Sequence, residues 1–383
     1  MPDFDIIVIG AGPAGSAAAT WAAKHGAKVA LVDKAMFPRN KLCGGLFTER
    51  SRSYYCEIFG RDFDLSRAVT RHDISFWHDG AELATLTDIP PLHLTMRLDL
   101  DNTLFEHALT AGASDFSGRH IAQISENEIL FKDGTALHAP ILIGADGVNS
   151  IVAKHLFGAS FNTETIGFGL EIEVPESTQN PVEKPLRIDF GAATWGYGWS
   201  FPKQNSTTVG VGGLRAPNPD MKAHMRHYLK TLGLDPEAVK FKGHHLPFGD
   251  FRPTPGRDNI LLAGDAAGLV DPITGEGIAF AMKSGQIAAQ SALDALGAGS
   301  PKTALRRYQR TLRDMQRNLR IARTLRRIIF APRWQGAFTR TFRRSGTVRV
   351  MYMRLLAGEL EYPQLARSVV ARLPRYLLNA LRR

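Results

Sequence analysis

The chain has 383 residues and a mass of 42.1 kDa, enough for one composite unit or two closely joined domains, and with 44% hydrophobic and 22% charged residues it is not a mainly disordered chain. A mean hydropathy of −0.14 and the absence of any run of about eighteen apolar residues exclude a polytopic membrane protein. The net charge of +10 is concentrated at one end: residues 301–383 carry 21 Lys/Arg against Asp314, Glu359 and Glu361, a balance of +18, whereas residues 1–300 carry −8.

Two cysteines, Cys43 and Cys56, exclude a Cys-ligated iron–sulfur cluster, a zinc ribbon and a disulfide framework. The opening Met1-Pro-Asp-Phe-Asp lacks a basic n-region, so no signal peptide is expected and a cytoplasmic location is inferred. The basic end calls for an acidic partner: lipid headgroups, a phosphorylated substrate or nucleic acid.

Phe4–Gly10 reads as a short, buried, β-branched parallel strand, followed by Gly10-Ala-Gly12-Pro-Ala-Gly15 and an alanine-rich helix over Ser16–Lys24. Gly10 permits the tight turn, Gly12 lets the backbone approach a pyrophosphate, and Gly15 lets the helix pack close to the strand. Pro13 suits the first helical turn, and the helix N-terminus offers free N–H groups to phosphate. A second strand, Lys28–Asp33, ends in an acid 18 positions beyond Gly15, placed to accept hydrogen bonds from an adenosine ribose. The unit is a dinucleotide site; by itself it does not separate NAD from FAD.

A helix is predicted over Leu98–Ala111, opened by Arg97, with a strand through Ala122 after it. Ala139-Pro-Ile-Leu-Ile-Gly144-Ala-Asp146-Gly147 is another apolar strand broken by an Asp-Gly turn. Alternating strands follow at 166–174, 186–190, 196–201 and 207–213, an antiparallel layer. Asn259–Ala263 then leads into Gly264-Asp265, again an acid at a strand end, where ligands sit in doubly wound sheets. Val270-Asp-Pro-Ile-Thr-Gly275-Glu-Gly277-Ile278 opens a helix running to about Leu296. No second glycine-rich nucleotide unit appears. From Leu305, Tyr308, Leu312, Met315, Leu319 and Ala322 recur at three- and four-residue steps, with Arg306, Arg310, Arg313, Arg317 and Arg320 alongside. Two readings stand for this amphipathic helix: its stripe packs on the first domain with solvated arginines, or the arginines meet membrane phosphates or an anionic lipid head. Nucleic acid is not expected, because no reader motif accompanies the charge. His224 and His227, and the pair His244-His245, lack a third ligand at recognisable spacing and are expected at the surface, not on a metal.

GxGxxG, the internal Asp-Gly segment and the late Gly-Asp segment, in that order, resemble the flavoproteins of the p-hydroxybenzoate hydroxylase fold. Lys41-Leu-Cys43-Gly44-Gly45-Leu46, Gly196-Tyr197-Gly-Trp199-Ser-Phe201-Pro202-Lys203 and Ala357-Gly358-Glu-Leu-Glu-Tyr362 further resemble the geranylgeranyl reductase family, over essentially the whole chain. One departure is Thr194, where that family often carries proline. The halogenase signature W-x-W-x-I-P is not matched.

The resemblance implies an α/β fold: a Rossmann-like FAD-binding domain over 1–300 with an inserted antiparallel-sheet substrate domain at about 160–250, plus part of 73–95, and a basic helical C-terminal region over 301–383. It implies FAD, with Asp265 on the ribityl chain, Arg97 as an FAD contact and Ala122 beside the adenine. The cofactor-binding set it implies is Gly10, Gly12, Ala14, Gly15, Asp33, Gly44, Arg97, Ala122, Asp146, Gly264, Asp265, Gly275, Gly277 and Ile278. The amides of Gly277 and Ile278 at a helix N-terminus would stabilise negative charge on the reduced flavin. NAD(P)H would serve as a transient electron donor.

Tyr197, Trp199 and Phe201 alternate onto one strand face; the pattern fits ordinary core as well as a pocket, and the resemblance favours a pocket for an apolar isoprenoid or lipid substrate. Tyr197 and Trp199 would ease transient positive charge during alkene reduction. Cys43 is read as either a proton relay near the flavin or a small buried residue. The activity implied is reduction of C=C bonds of an isoprenoid chain. An FAD monooxygenase of the same fold and a non-catalytic membrane-surface flavin-binding protein are the competing readings; in the main reading a peripheral place on the inner membrane surface is the alternative to a purely cytoplasmic one.

Overall fold

Ile6–Ile9, four residues buried on both faces, form the centre of a six-stranded sheet in the computed structural model, which describes residues 2–175, 186–237 and 240–367. The strand order is 256–257, 260–262, 141–144, 6–9, 29–32, 114–116. Ile6 lies opposite both Val29 and Ile141 in parallel register, and Leu142 lies opposite Ile260; only the edge pair 256–257 with 260–262 is antiparallel. A parallel sheet must be covered on both faces, which explains strands apolar at every position instead of alternating ones.

The helices in chain order are α1 (Pro13–Lys24), α2 (Glu49–Phe59), α3 (Arg97–Thr110), α4 (Ile151–Phe157), α5 (Met221–Thr231), α6 (Ile278–Gly297), α7 (Ala304–Phe330), α8 (Pro332–Arg344) and α9 (Gly346–Ala357). Alanine-rich α1 and α6 pack on each other and on the parallel sheet. α7 joins them by burying Tyr308, Leu312 and Leu319, and the Tyr308 hydroxyl donates to the Leu262 carbonyl at 3.0 Å.

The second layer is a seven-stranded sheet ordered 242–246, 167–175, 206–214, 196–202, 186–189, 74–78, 81–86, antiparallel except where 186–189 meets 74–78. Its two faces have different fates. Leu170, Ile172, Val209 and Val211 point to one side and pack on Met221, Met225, Tyr228 and Leu229 of α5. The alternate residues point to the other side in rows fixed by the register: Glu171, Gly210 and Trp199 form one row, and His244, Gly169, Gly212 and Tyr197 the next. A Cβ on Gly210 would run into the Trp199 ring, so the bare backbone there is what lets the indole lie against the sheet.

The amphipathic stretch that begins near Leu305 is α7. Tyr308, Leu312, Leu319 and Ala322 are fully buried, Leu305 and Met315 half-buried, and Arg306, Arg310, Arg313, Arg317 and Arg320 exposed. Its stripe therefore packs on the protein. α8 and α9 fold back over the second sheet and bury Phe342, Tyr352, Met353, Leu355 and Leu356. The part of the basic C-terminal region beyond residue 367 lies outside the described residues. Among the described residues, no helix is long and apolar enough to cross a membrane.

Candidate functional site

One cavity of about 520 Å³ lies between the two sheets, and both Gly12 and Asp265 line it. At one end are the strand tips of the parallel sheet. Gly10 has φ +98°, and a Cβ on Gly15 would collide with the Gly10 carbonyl, so the turn and α1 close on each other as only glycines allow. Gly12 is the N-cap of α1 and Gly277 that of α6, neither with a side-chain cap, so two sets of helix N-terminal amides open onto the same cavity. The Asp33 carboxylate accepts the amides of Ala11 at 2.8 Å and Ala35 at 2.9 Å and also lines the cavity. An elongated chamber with two bare helix N-termini and carboxylates at two strand ends fits a long dinucleotide with a pyrophosphate and polyhydroxyl segments.

Gly10, Gly12, Ala14, Asp33, Gly44, Arg97, Asp146, Asp265, Gly275, Gly277 and Ile278 all line this cavity. Gly15 and Gly264 stand behind it; the Gly264 amide donates to the Ser284 hydroxyl at 2.9 Å, and a Cβ there would press on Ala14. Ala122 does not line the cavity: it is exposed, and its neighbour Ile121 points in, a one-residue difference that strand alternation turns into opposite faces. Asp146 also caps α4, accepting from the Ser150 hydroxyl at 2.5 Å and the Ile151 amide at 2.7 Å; burial pushes its carboxyl up, against those hydrogen bonds. Arg97 grips Asp101 through two hydrogen bonds of 2.6 and 2.8 Å.

The other end is the second sheet. Tyr197, Trp199 and Phe201 line it together with Ile188, Leu246, Tyr352 and Leu356. The aromatic stripe is thus both a packed cluster and a cavity wall. The Tyr197 hydroxyl donates to the Thr274 carbonyl at 2.8 Å, which ties this wall to the loop before α6. The Trp199 indole N–H is buried without a partner.

The Cys43-Gly44-Gly45 loop crosses between the two ends. The Cys43 amide donates to Glu171 Oε1 at 3.1 Å, and the Gly45 amide to Cys43 Sγ at 3.4 Å. Lys203 Nζ donates to the Gly44 carbonyl and, at 3.1 Å, to that of Thr95. Burial pushes Lys203 down to about 8, against the pull of Cys43, Glu173 and Glu171. Burial likewise pushes Glu171 up to about 7, with the Cys43 amide opposing it, Glu173 adding to it, and Lys203 and Lys41 opposing it. Two titratable residues, Glu171 within the sheet and Lys203 just after the strand 196–202, therefore bind the loop.

His244 was expected at the surface, but it lines the cavity with its Nε2 buried and unpartnered. Burial, with Lys41, His245, Arg97 and Lys34 nearby, pushes it down to about 3, so the imidazole is neutral. It sits in a strand, 242–246, whose sequence Lys-Gly-His-His-Leu carries no apolar alternation. Among the described residues, no group of three or more His, Cys, Asp or Glu is placed to hold a metal ion.

Behind the loop before α6 lies a buried charged cluster. Thr48 donates to Glu276 Oε1 at 2.5 Å, Arg50 reaches Glu276 at 3.6 Å and Glu361 at 3.4 Å, and the Tyr362 hydroxyl donates to Asp271 at 2.8 Å. The C-terminal Gly358–Tyr362 motif is thereby joined to residues 271–276. Burial pushes Glu276 up to about 7 despite Arg50 and Thr48, with Asp271 and Glu361 adding to the rise. The sequence patterns do not mark Glu171 or Arg50; an acid at an inward position of an alternating strand, two residues after Gly169, is the signal that points to Glu171.

The family model described as FAD dependent oxidoreductase matches residues 5–82. The chain is 30% identical to a geranylgeranyl diphosphate reductase of Rhodobacter capsulatus, over 78% of this chain and 77% of that protein. It is 28% identical to a menaquinone reductase of Mycolicibacterium smegmatis, over 92% of this chain and 91% of that one. Among solved structures, a geranylgeranyl bacteriochlorophyll reductase-like protein of Thermoplasma acidophilum superposes with a TM-score of 0.71 at 19% identity, covering 92% of this chain and 90% of that one. The flavin-dependent brominase Bmp2 also superposes with a TM-score of 0.71, at 18% identity over 97% and 99% of the two chains, so the fold by itself does not choose the chemistry.

Proposed function

Since the chain belongs to the geranylgeranyl reductase family of FAD-dependent oxidoreductases, we propose that it saturates C=C bonds of an isoprenoid chain carried by a lipid, pigment, quinone or diphosphate. The observation that carries this reading is that one continuous cavity joins the glycine turn and Asp265 to an aromatic wall of Tyr197, Trp199 and Phe201. A polyprenyl chain has no group that could hydrogen-bond along its length, and an apolar wall with few polar atoms suits it.

In this reading the α1 N-terminus and Gly12 receive the pyrophosphate, Asp33 the adenosine ribose, Asp265 the ribityl chain, and the amides of Gly277 and Ile278 the pyrimidine edge. Bound FAD supplies two-electron, hydride-delivering chemistry. NAD(P)H would be its visiting electron donor. The chain's own residues do the remainder. The sheet face excludes water, Tyr197 and Trp199 offer ring faces to a carbon that becomes transiently positive, and Cys43 is held at the junction of the two ends.

In the same reading the enzyme sits peripherally on the inner membrane surface through its C-terminal helices. The support is their composition: Ile328, Trp334 and Val350 are 49%, 50% and 57% exposed, on α7, α8 and α9, and exposed Arg327, Arg333 and Arg340 accompany them. Tyr352 and Leu356 of the same α9 line the cavity, so the lipid-seeking region and the substrate chamber share a wall.

The test is anaerobic turnover of FAD-loaded, chemically reduced protein with geranylgeranyl diphosphate and menaquinone, read by mass spectrometry. Product heavier by two hydrogens per reduced bond, formed without oxygen, is expected. A strict requirement for oxygen would turn the assignment to the monooxygenase reading, and failure to bind FAD would end it.

A further inference from the structure

Reduction of an alkene adds two hydrogens, and hydride accounts for one of them; the second must arrive as a proton inside an apolar chamber. Glu171 is built for that task. It lies at the middle of the strand Gly167–Pro175, on the cavity face, in the same row as Trp199. On that face Gly169 along the strand and Gly210 across it have no side chains, Glu173 and Lys242 are the other neighbours, and Glu171 itself lines the chamber. The residue is 8% exposed. Oε1 accepts the Cys43 amide at 3.1 Å, while Oε2 is buried and has no hydrogen-bond partner.

An ionised carboxylate with one buried, unpartnered oxygen is costly, and the neutral carboxylic acid is much less so. The groups that face it are Lys203, Lys41, Glu173, the Cys43 amide, the exposed Lys242 opposite it on the edge strand and, one row away, His244. Burial and Glu173 outweigh the two lysines and the amide, which leaves the acid form populated up to about pH 7. His244 is neutral and brings no positive charge to ionise it.

We propose that Glu171 is the proton donor of the reaction, protonating one carbon of the isoprenoid double bond while hydride reaches the other. The assignment rests on the reductase reading above. The Glu171 O–H bond breaks as the alkene π pair forms a C–H bond. Bound reduced FAD would supply the hydride, and with it both electrons, for the other carbon, and the Glu171 carboxylate regains its proton from water.

The experiment compares FAD-loaded wild type, Glu171→Gln and Glu171→Asp. Infrared difference spectra read the carboxyl itself, without any substrate: a protonated-carboxyl band present at about pH 6, lost as the pH rises through about 7, and missing from Glu171→Gln is expected. Absence of that band from wild type at about pH 6 overturns the proposal. Anaerobic mixing of reduced enzyme with geranylgeranyl diphosphate reads the chemistry: Glu171→Gln, which keeps the acceptor for the Cys43 amide, is expected to slow flavin reoxidation by roughly 10²–10⁴-fold with FAD content and melting temperature unchanged. Glu171→Asp, still an acid, recovers part of the rate; a purely structural Glu171 would favour the isosteric Gln over the shorter Asp, and that order overturns the proposal. Wild-type reoxidation by Glu171→Gln does so too. Failure of the reductase reading has a different signature, in which wild type itself is not reoxidised by any prenyl substrate, and the infrared band still decides whether Glu171 carries the proton.

Discussion

Replacement of Arg50 by Met isolates the energetics of the buried cluster beneath the loop before α6. Arg50 is 5% exposed in its side chain and Glu276 4%. The guanidinium reaches Glu276 at 3.6 Å and Glu361 at 3.4 Å, donates to the Leu355 carbonyl at 3.3 Å and lies 5.1 Å from the centre of the Phe280 ring. Met keeps much of the volume and removes the charge. Breaking one side of a buried ion pair costs about 3–5 kcal/mol, because the remaining carboxylate is left without compensation. Here Glu276 would face Asp271 and Glu361 with no cation; Glu361, 43% exposed in its side chain, finds relief in solvent, so Glu276 sets the magnitude.

The cost depends on pH with a definite sign. Glu276 titrates at about 7 in the folded protein against 4.5 for an ordinary glutamate, a difference of ~3 kcal/mol between its two protonation states. A carboxyl raised in the folded state contributes stability that is complete below about 4.5 and is lost as the pH climbs through about 7. Loss of Arg50 raises the folded value further. The deficit of Arg50→Met is therefore expected to be small at about pH 5 and to approach the full 3–5 kcal/mol at about pH 8. Urea unfolding midpoints of the FAD-loaded protein at the two pH values measure it, with Arg50→Met/Glu276→Gln expected to recover part of the loss at the higher pH. An equal deficit at both pH values, or none at either, refutes the reasoning.

Gly15→Val pushes a side chain into the Gly10 carbonyl; overpacking of this kind costs ~1–3 kcal/mol, and since it displaces the turn, purified protein is expected to carry much less FAD by visible absorbance. Full FAD content would remove the glycine turn from the account. Replacing Arg327, Arg333 and Arg340 with Gln is expected to reduce cosedimentation with anionic lipid vesicles by about 1 kcal/mol per arginine at low salt, whereas pelleting that is unchanged and insensitive to salt would exclude an electrostatic contact.

The amino-acid order alone determined the parts whose physics is local. A β-branched run, a glycine turn and an alanine-rich stretch specify strand, turn and helix within about thirty residues, and α1, α3 and α6 follow from such signals. Period-two alternation likewise located the strands 167–175, 196–202 and 206–214. What only the tertiary structure decided are the encounters between distant segments. Cys43 meets Glu171 across 128 positions, and Glu361 meets Arg50 only after the C-terminal helices have returned to α2. His244 enters the cavity because the register sets it opposite Gly169, and Ala122 misses it because alternation gives the inward place to Ile121. Local periodicity says that a residue lies on a face; which partner that face meets depends on how sheets and helices stack. Burial, and with it the proton held by Glu171 or Glu276, is a property of the assembled chamber.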